Sequence, residues 1–173
     1  MINKNKNTIK YCILAGGCFW CMAKPYYEYD GILNVYSGYS GGDEIAPTYE
    51  EVKSQKTHHM ECVKLVYDCS IISYKEILEI YFDTIDPFDE DGQFIDRGYS
   101  YSTALFYQNE EMKEEIISFL YNKQLLYNKK IKVKVTKEKD FYMAEEYHQD
   151  YAVKNPEKME KELILSGRKE GKK

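Results

Sequence analysis

Nothing in this chain of 173 residues is apolar for long enough to span a bilayer. The amino end, Met1-Ile2-Asn3-Lys4-Asn5-Lys6-Asn7, lacks the apolar stretch and small-residue cleavage site of a secretory signal, so the expected compartment is the cytoplasm, with no membrane partner. Positive charge is not in excess: 24 Lys and Arg stand against 29 Asp and Glu, a net −5, which argues against a general nucleic-acid binder. There is no Gly-x-Gly-x-x-Gly and no P-loop, so no nucleotide or flavin is called for. A second Cys-x-x-Cys is missing, and His58, His59 and His148 lack finger spacing, which leaves zinc poorly supported. The expectation is an enzyme with no cofactor and no metal. Internal repeats and low-complexity linkers are also absent. The length suits one catalytic domain over 1–173, with flexible ends at 1–8 and from about 160 to 173, acting as a monomer.

What is present begins with five cysteines: Cys12, Cys18, Cys21, Cys62 and Cys69. An odd number without a signal peptide does not read as a disulfide framework. Cys12, Cys62 and Cys69 are expected to be structural, buried thiols.

Ile9 to Ala15 reads as a short buried strand, broken by Gly16-Gly17, with a helix starting near Cys18 or Phe19. Pro25 must kink that helix or open a second segment. Ile32 to Tyr36 reads as a strand, and Ser37 to Gly42 as a glycine-rich loop. Glu61 to Asp68 alternates like a two-faced strand. Ser73 with Glu76 makes a capping box for a helix whose apolar stripe is Tyr74, Ile77, Leu78, Tyr81 and Ile85, stopped by Asp86-Pro87. A long irregular segment runs through Asp96-Arg97-Gly98, and Thr103 to Tyr107 is a strand. Asn109 caps a helix to about Asn128 with Met112, Ile116, Phe119 and Leu120 inward. Ile131 to Thr136 is again a strand, followed by a short helix near Ala144 to Val153 and a lysine-rich tail. The predicted class is α+β, a two-layer sandwich of a mixed sheet with flanking helices.

Gly16-Gly17-Cys18-Phe19-Trp20-Cys21 carries the chemistry. Two glycines permit a tight turn that exposes the next side chain. A cysteine at a helix start meets the positive end of the helix dipole and free amide hydrogens, and both are expected to lower its pKa. Phe19 and Trp20 supply aromatic walls suited to a thioether methyl. Cys21, three residues on, can face Cys18 as in other Cys-x-x-Cys pairs. A thioredoxin-like oxidoreductase fits poorly, because Phe-Trp replaces the small or proline residues usual between such cysteines. A non-catalytic binder of oxidised methionine would not need Cys18 and Glu61.

With further blocks in order, the sequence resembles the methionine sulfoxide reductase A family. Those blocks are Ser37 to Gly42, Pro47 to Val52, His59-Met60-Glu61, Ile85-Asp86-Pro87, Gln93 to Gly98, Tyr101 with its following strand, and Phe141 to Tyr151. They span roughly residues 10 to 156. The resemblance implies a core related to ferredoxin-like architecture and reduction of the S epimer of methionine sulfoxide, in proteins and as the free amino acid. It makes Cys18 the attacking thiol and Phe19 and Trp20 the methyl pocket. Glu61 becomes the acid facing the sulfoxide oxygen, Tyr49 and Tyr101 hydroxyl donors to it, and Asp96 a polar residue of the same site. Thioredoxin would supply the electrons. Relatives often carry a resolving cysteine in a C-terminal tail. Here no cysteine follows Cys69, so Cys21 is the leading candidate to resolve the Cys18 sulfenic acid, ahead of an external thiol. His58 stands where many relatives have glycine and Ile85 where many have histidine, and neither removes a group the chemistry uses.

Overall fold

The computed structural model describes residues 6–168. A single 3-10 turn at Lys6–Thr8 leads into β1 (Ile9–Gly16), and Cys18 then caps the five-residue α1 (Phe19–Ala23). Pro25 opens a separate 3-10 segment over Lys24–Glu28 rather than kinking α1. The chain continues through β2 (Ile32–Ser40), α2 (Tyr49–Lys53), β3 (Met60–Asp68) and α3 (Tyr74–Thr84). A two-residue hairpin pair follows, β4 (Gly92–Gln93) and β5 (Asp96–Arg97), then β6 (Thr103–Tyr107) and α4 (Glu110–Gln124). β7 (Lys134–Lys137), β8 (Tyr142–Met143), α5 (Tyr151–Lys154) and α6 (Pro156–Leu165) complete it.

The main sheet has six strands in the order β7-β6-β1-β3-β2-β8, antiparallel except for the parallel β6–β7 pair. Period-2 alternation divides its side chains between two faces. Cys12 and Leu14 of β1, Val63, Leu65 and Tyr67 of β3, and Val35 and Tyr39 of β2 join the larger core. That core is completed by Phe19, Met22 and Ala23 of α1, Tyr74, Ile77, Leu78, Tyr81 and Phe82 of α3, and Ile116 and Phe119 of α4. Strand residues Ile13, Ala15, Met60, Cys62, Ala104 and Phe106 form a smaller cluster of their own. The class is therefore α+β with a mixed sheet, as expected.

α3 forms where its capping box predicts: Ser73 Oγ accepts from the Glu76 amide, and the Glu76 carboxylate accepts from the Ser73 amide at 2.8 Å. Pro87 keeps Asp86 out of the helical region, and Ile85, already extended, closes the element. Asn109 caps α4 through its bond from the Met112 amide.

Several expectations need correction. Ser37 to Ser40 is not loop but the end of β2, paired with Val63 to Met60 and, at Gly38 and Tyr39, with β8. Gly38 is glycine because a Cβ would collide with the Phe141 ring and the Tyr142 carbonyl. α4 stops at Gln124, whose amide turns to the Tyr127 and Lys129 carbonyls. β7 starts at Lys134, since the partner it extends, β6, offers register only from Ala104 to Tyr107. The helix expected near Ala144 to Val153 is a 3-10 turn at Glu146–His148 and the four-residue α5, separated by Asp150 in the left-handed region at φ 54°.

The tail is the largest correction. It does not loosen from residue 160: α6 runs to Leu165, anchored by fully buried Met159, and Arg168 is itself buried. Residues 1–5 and 169–173 of the expected flexible ends lie outside the described residues. No described helix is long and apolar enough to cross a membrane, and no described group of three or more His, Cys, Asp or Glu is placed to hold a metal ion.

Candidate active site

β1 and β3 run antiparallel at the centre of the sheet, so the end of β1 and the start of β3 meet at one end of its strands, with Ala15 opposite Cys62. Two residues beyond Gly16 the chain presents Cys18; one residue before Cys62 it presents Glu61. Gly17 makes the turn between strand and helix at φ +86°, and a Cβ there would lie 2.7 Å from Arg168 Nη2 and from Gln93 Cβ. Gln93 is fully buried and braces this corner. Its side chain accepts from the Asp86 amide and donates to the Asp86 and Gly92 carbonyls, each at 2.8 Å.

Cys18, Phe19, Trp20, Cys21, Tyr49, Glu61, Asp96 and Tyr101 line one cleft of about 250 Å³, all eight of the residues singled out above. Lys53, Ile95, Glu162 and Ser166 share the lining and were not anticipated. Glu162 and Ser166 belong to or follow α6, which the lysine-rich composition had disguised as loose tail. Pro156 at the helix start with Met159 and Leu163 four apart was the available signal.

Phe19 is buried and Trp20 partly so. Trp20 stacks on Tyr151 at 3.8 Å between centroids and 10° between planes. Phe19 lies 6.4 Å from the nearly parallel Tyr49 ring and 5.1 Å from His148. His148 is buried among Phe19, Trp20, Tyr49 and Tyr147, and burial lowers its pKa, which keeps the ring neutral. Tyr49 opens α2, whose Thr48–Glu51 capping box fixes it, and its amide donates to Glu145 at 3.3 Å.

Glu61 is 2% exposed and accepts a hydrogen bond from the Phe19 amide at 3.1 Å. Its pKa is driven well above the usual carboxylate range, first by burial and then by the neighbouring Cys18 thiol and Asp96. The Phe19 amide and the Tyr101 hydroxyl pull less strongly the other way. Burial and the charge of Glu61 raise both Tyr49 and Tyr101, so both phenols stay protonated donors at neutral pH. Burial likewise raises Asp96.

The thiols depart from expectation. Cys18 is raised rather than lowered, by its hydrogen bond with Cys21, by burial and by the charges of Cys21 and Asp96. The Cys21 amide does pull Cys18 down, but the side-chain bond with Cys21 and burial outweigh it; the first amide of α1, Phe19 N–H, is directed at Glu61, and five residues make a weak dipole. Cys21, 4% exposed, is the lowered member, through the hydrogen bond from Cys18 and the charge of Arg168. Cys12 and Cys62 are buried, as anticipated for structural thiols; Cys69 is partly exposed.

Comparison with known proteins identifies the family. A family model described as "Peptide methionine sulfoxide reductase" matches residues 10–173. Peptide methionine sulfoxide reductase MsrA 2 of Staphylococcus aureus (strain N315) is 48% identical over 151 residues, 86% of this chain and 85% of that protein. The MsrA of Bacillus licheniformis is 46% identical over 156 residues, 89% and 86% of the two chains. Among solved structures, reduced Mxr1 of Saccharomyces cerevisiae superposes with a TM-score of 0.82 at 30% identity, covering 88% of this chain and 89% of that one.

Proposed function

The chain belongs to the peptide methionine sulfoxide reductase family, and we propose that it reduces the S epimer with Cys18 as nucleophile, Glu61 as acid and Cys21 as resolving thiol. The activity itself, thiol-dependent reduction of methionine sulfoxide in peptides, comes with the family. The observation that supports the residue roles is the cleft in which Cys18 adjoins an aromatic wall and a buried carboxyl with a raised pKa.

The sulfoxide methyl rests against Phe19 and Trp20, and its oxygen points at Glu61, Tyr49 and Tyr101. Only a thiolate attacks, and of the hydrogen-bonded pair Cys21 is the member with the lowered pKa, so its thiolate is the acceptor for the Cys18 proton. Proton transfer from Cys18 to Cys21 therefore precedes attack. Cys18 Sγ then bonds to the sulfoxide sulfur while Glu61 gives its proton to the oxygen, and the two phenols stabilise the developing charge. The oxygen passes to Cys18 as methionine departs. The substrate sulfur gains two electrons, Cys18 becomes a sulfenic acid, and Glu61 is left as carboxylate.

Glu61 recovers a proton from Cys21, whose thiolate attacks the Cys18 sulfur. The S–S bond forms, the S–O bond breaks, and the oxygen leaves as water with the proton Glu61 returns. A thioredoxin-class dithiol then reduces the disulfide. Asp96 is a polar neighbour of the reacting sulfur. The cleft is complete within one chain, which suits a monomer, and five free thiols suit the reducing cytoplasm.

Conversion of a dabsylated methionine S-sulfoxide with dithiothreitol, by wild type and Cys18→Ser, tests the reading. Turnover is expected in wild type and absent in Cys18→Ser; a folded, reduced wild type without turnover would sink it. After one turnover without reductant, mass mapping is expected to find Cys18 joined to Cys21. A Cys18 disulfide with any other cysteine would remove Cys21 from its role.

A further inference from the structure

We propose that Arg168 is the positioning residue of the thiol pair: its guanidinium clamps the turn that presents Cys18 and sets a buried positive charge behind the segment that carries Cys21. The proposal rests on Cys21 being the resolving thiol.

The route of Arg168 into the interior is built by the C-terminal helix. Met159, fully buried, packs with Cys21 and Ala152, and Leu163 joins them, so α6 lies against the thiol segment. Gly167 ends the helix at φ +75°, with its amide on the Ile164 carbonyl at 3.1 Å, and turns the next side chain back inward. Arg168 is 8% exposed.

Its guanidinium is shared among four segments. Nη2 donates to the Gly16 carbonyl at 2.9 Å, directly before the Gly17 turn, and Nη1 donates to the Thr84 carbonyl at 2.9 Å, in the last turn of α3. The Met22 sulfur lies 4.0 Å from Nη1, one residue beyond Cys21, and the guanidinium carbon sits 4.7 Å over the Phe94 ring. One planar group thus ties both ends of the Gly16–Met22 segment to α3 and to the β4–β5 hairpin that carries Asp96.

Every one of those partners is neutral. A buried cation held by two carbonyls, a ring and a thioether is costly; among the described residues no carboxylate forms an ion pair with it, and Asp96 is a carboxylate that feels its charge at longer range. The charged and titratable groups around Cys21 are Cys18, Asp96 of β5, Glu162 of α6 and Arg168, with Tyr27 and Tyr151 packed beside it and Lys53 across the cleft. Both carboxylates oppose ionisation of the thiol, and the charge of Arg168 favours it. Arginine rather than lysine suits the place, since it cannot deprotonate there and its fork reaches two carbonyls at once.

The consequence concerns the second half of the cycle. A nearby cation makes Cys21 lose its proton more readily when it attacks the Cys18 sulfenic acid, and for the same reason it is the better leaving group when an external dithiol attacks the disulfide at Cys18.

The test uses the full chain carrying Cys18→Ser and Cys69→Ser, in which Cys21 is the one thiol left to ionise near neutrality, because burial pushes Cys12 and Cys62 far up. Thiolate ultraviolet absorbance is titrated against pH in that parent and with Arg168→Lys or Arg168→Met added. Removing an adjacent cation is expected to lower the Cys21 thiolate fraction at neutral pH by about tenfold or more in Arg168→Met. Arg168→Lys should fall between the two. Superimposable curves for a folded Arg168→Met and the parent would overturn the proposal. Should Arg168→Met fail to fold, Arg168→Gln carries the same comparison, and a curve superimposable on the parent again overturns the proposal. Failure of Cys21 as resolving thiol is read separately, from the disulfide mapped in wild type, and leaves these titrations able to decide the role of the arginine.

Discussion

Glu61→Gln separates the proton of the site from its shape. The amide has nearly the volume of the carboxyl and keeps an oxygen for the Phe19 amide 3.1 Å away, so the roughly 1 kcal/mol net worth of that bond survives. Only the transferable proton is lost. Loss of a positioned general acid costs about 10²–10⁴-fold in rate. At about 1.4 kcal/mol per decade, that is roughly 3–5 kcal/mol of barrier. The pH dependence has a definite sign. Burial raises Glu61 in the folded protein, so the acid is present at low pH and turnover falls as pH rises through the raised pKa. Stability follows the same direction: the folded state holds this proton more tightly, so its contribution is complete below the ordinary glutamate pKa and disappears as pH climbs through the folded one. Glu61→Gln escapes both losses. Initial rates of methionine formation with excess dithiothreitol, and thermal melts, both run from acid to alkaline pH, are the assay. The variant should be slow throughout, lack the alkaline limb assigned to Glu61, and gain melting temperature relative to wild type as pH rises. A variant with the wild-type rate and the wild-type alkaline limb would refute the reasoning.

Cys18→Ser should bring methionine formation to background while leaving the fold intact; residual dithiothreitol-driven turnover would point to another nucleophile. Gly17→Ala places a Cβ 2.7 Å from Arg168 Nη2 at a residue held at φ +86°. It should cost about 1–3 kcal/mol, or roughly 2–4 °C of melting temperature per kcal/mol, together with turnover; an unchanged melt would mean that the turn adapts. Tyr81→Phe removes the donor to the Ala15 carbonyl, 2.8 Å away and fully buried. A loss of about 1–3 kcal/mol is expected by chemical denaturation, and a neutral result would show another donor taking over.

The nucleophile hexapeptide, the capping box at Ser73, and β6 were legible because each is a local signal carried by adjacent residues. Ser37 to Ser40 was misread for the opposite reason. Its two serines and a glycine look like loop in isolation, and become strand only because β3 and β8 supply partners on both sides. The same holds for α6: Met159 has value as an anchor only once Cys21 and Ala152 are beneath it. The candidate residues were found through ordered motifs, whereas Arg168 belongs to none of them, and nothing in Ser166-Gly167-Arg168 announces a side chain that reaches Gly16. The direction of the Cys18 shift failed because helix position alone shows neither the bond with Cys21 and the burial that raise the thiol nor that the first amide serves Glu61.

That shared amide shows how strictly the site depends on strand register. Glu61 has the parity of Val63, Leu65 and Tyr67, the face of β3 that meets α1, while Met60 and Cys62 point to the opposite cluster. A slip of one residue against β1 would send the carboxyl to the other face. It would also leave the Phe19 amide without its partner and bring Cys62 towards Cys18. The apolar alternation of β3 therefore does more than fill the core, since the same Val63–Leu65–Tyr67 stripe that resists slippage holds the acid against the nucleophile. Substitutions along that stripe should then lower activity through the placement of Glu61, even though none of those side chains lines the cleft.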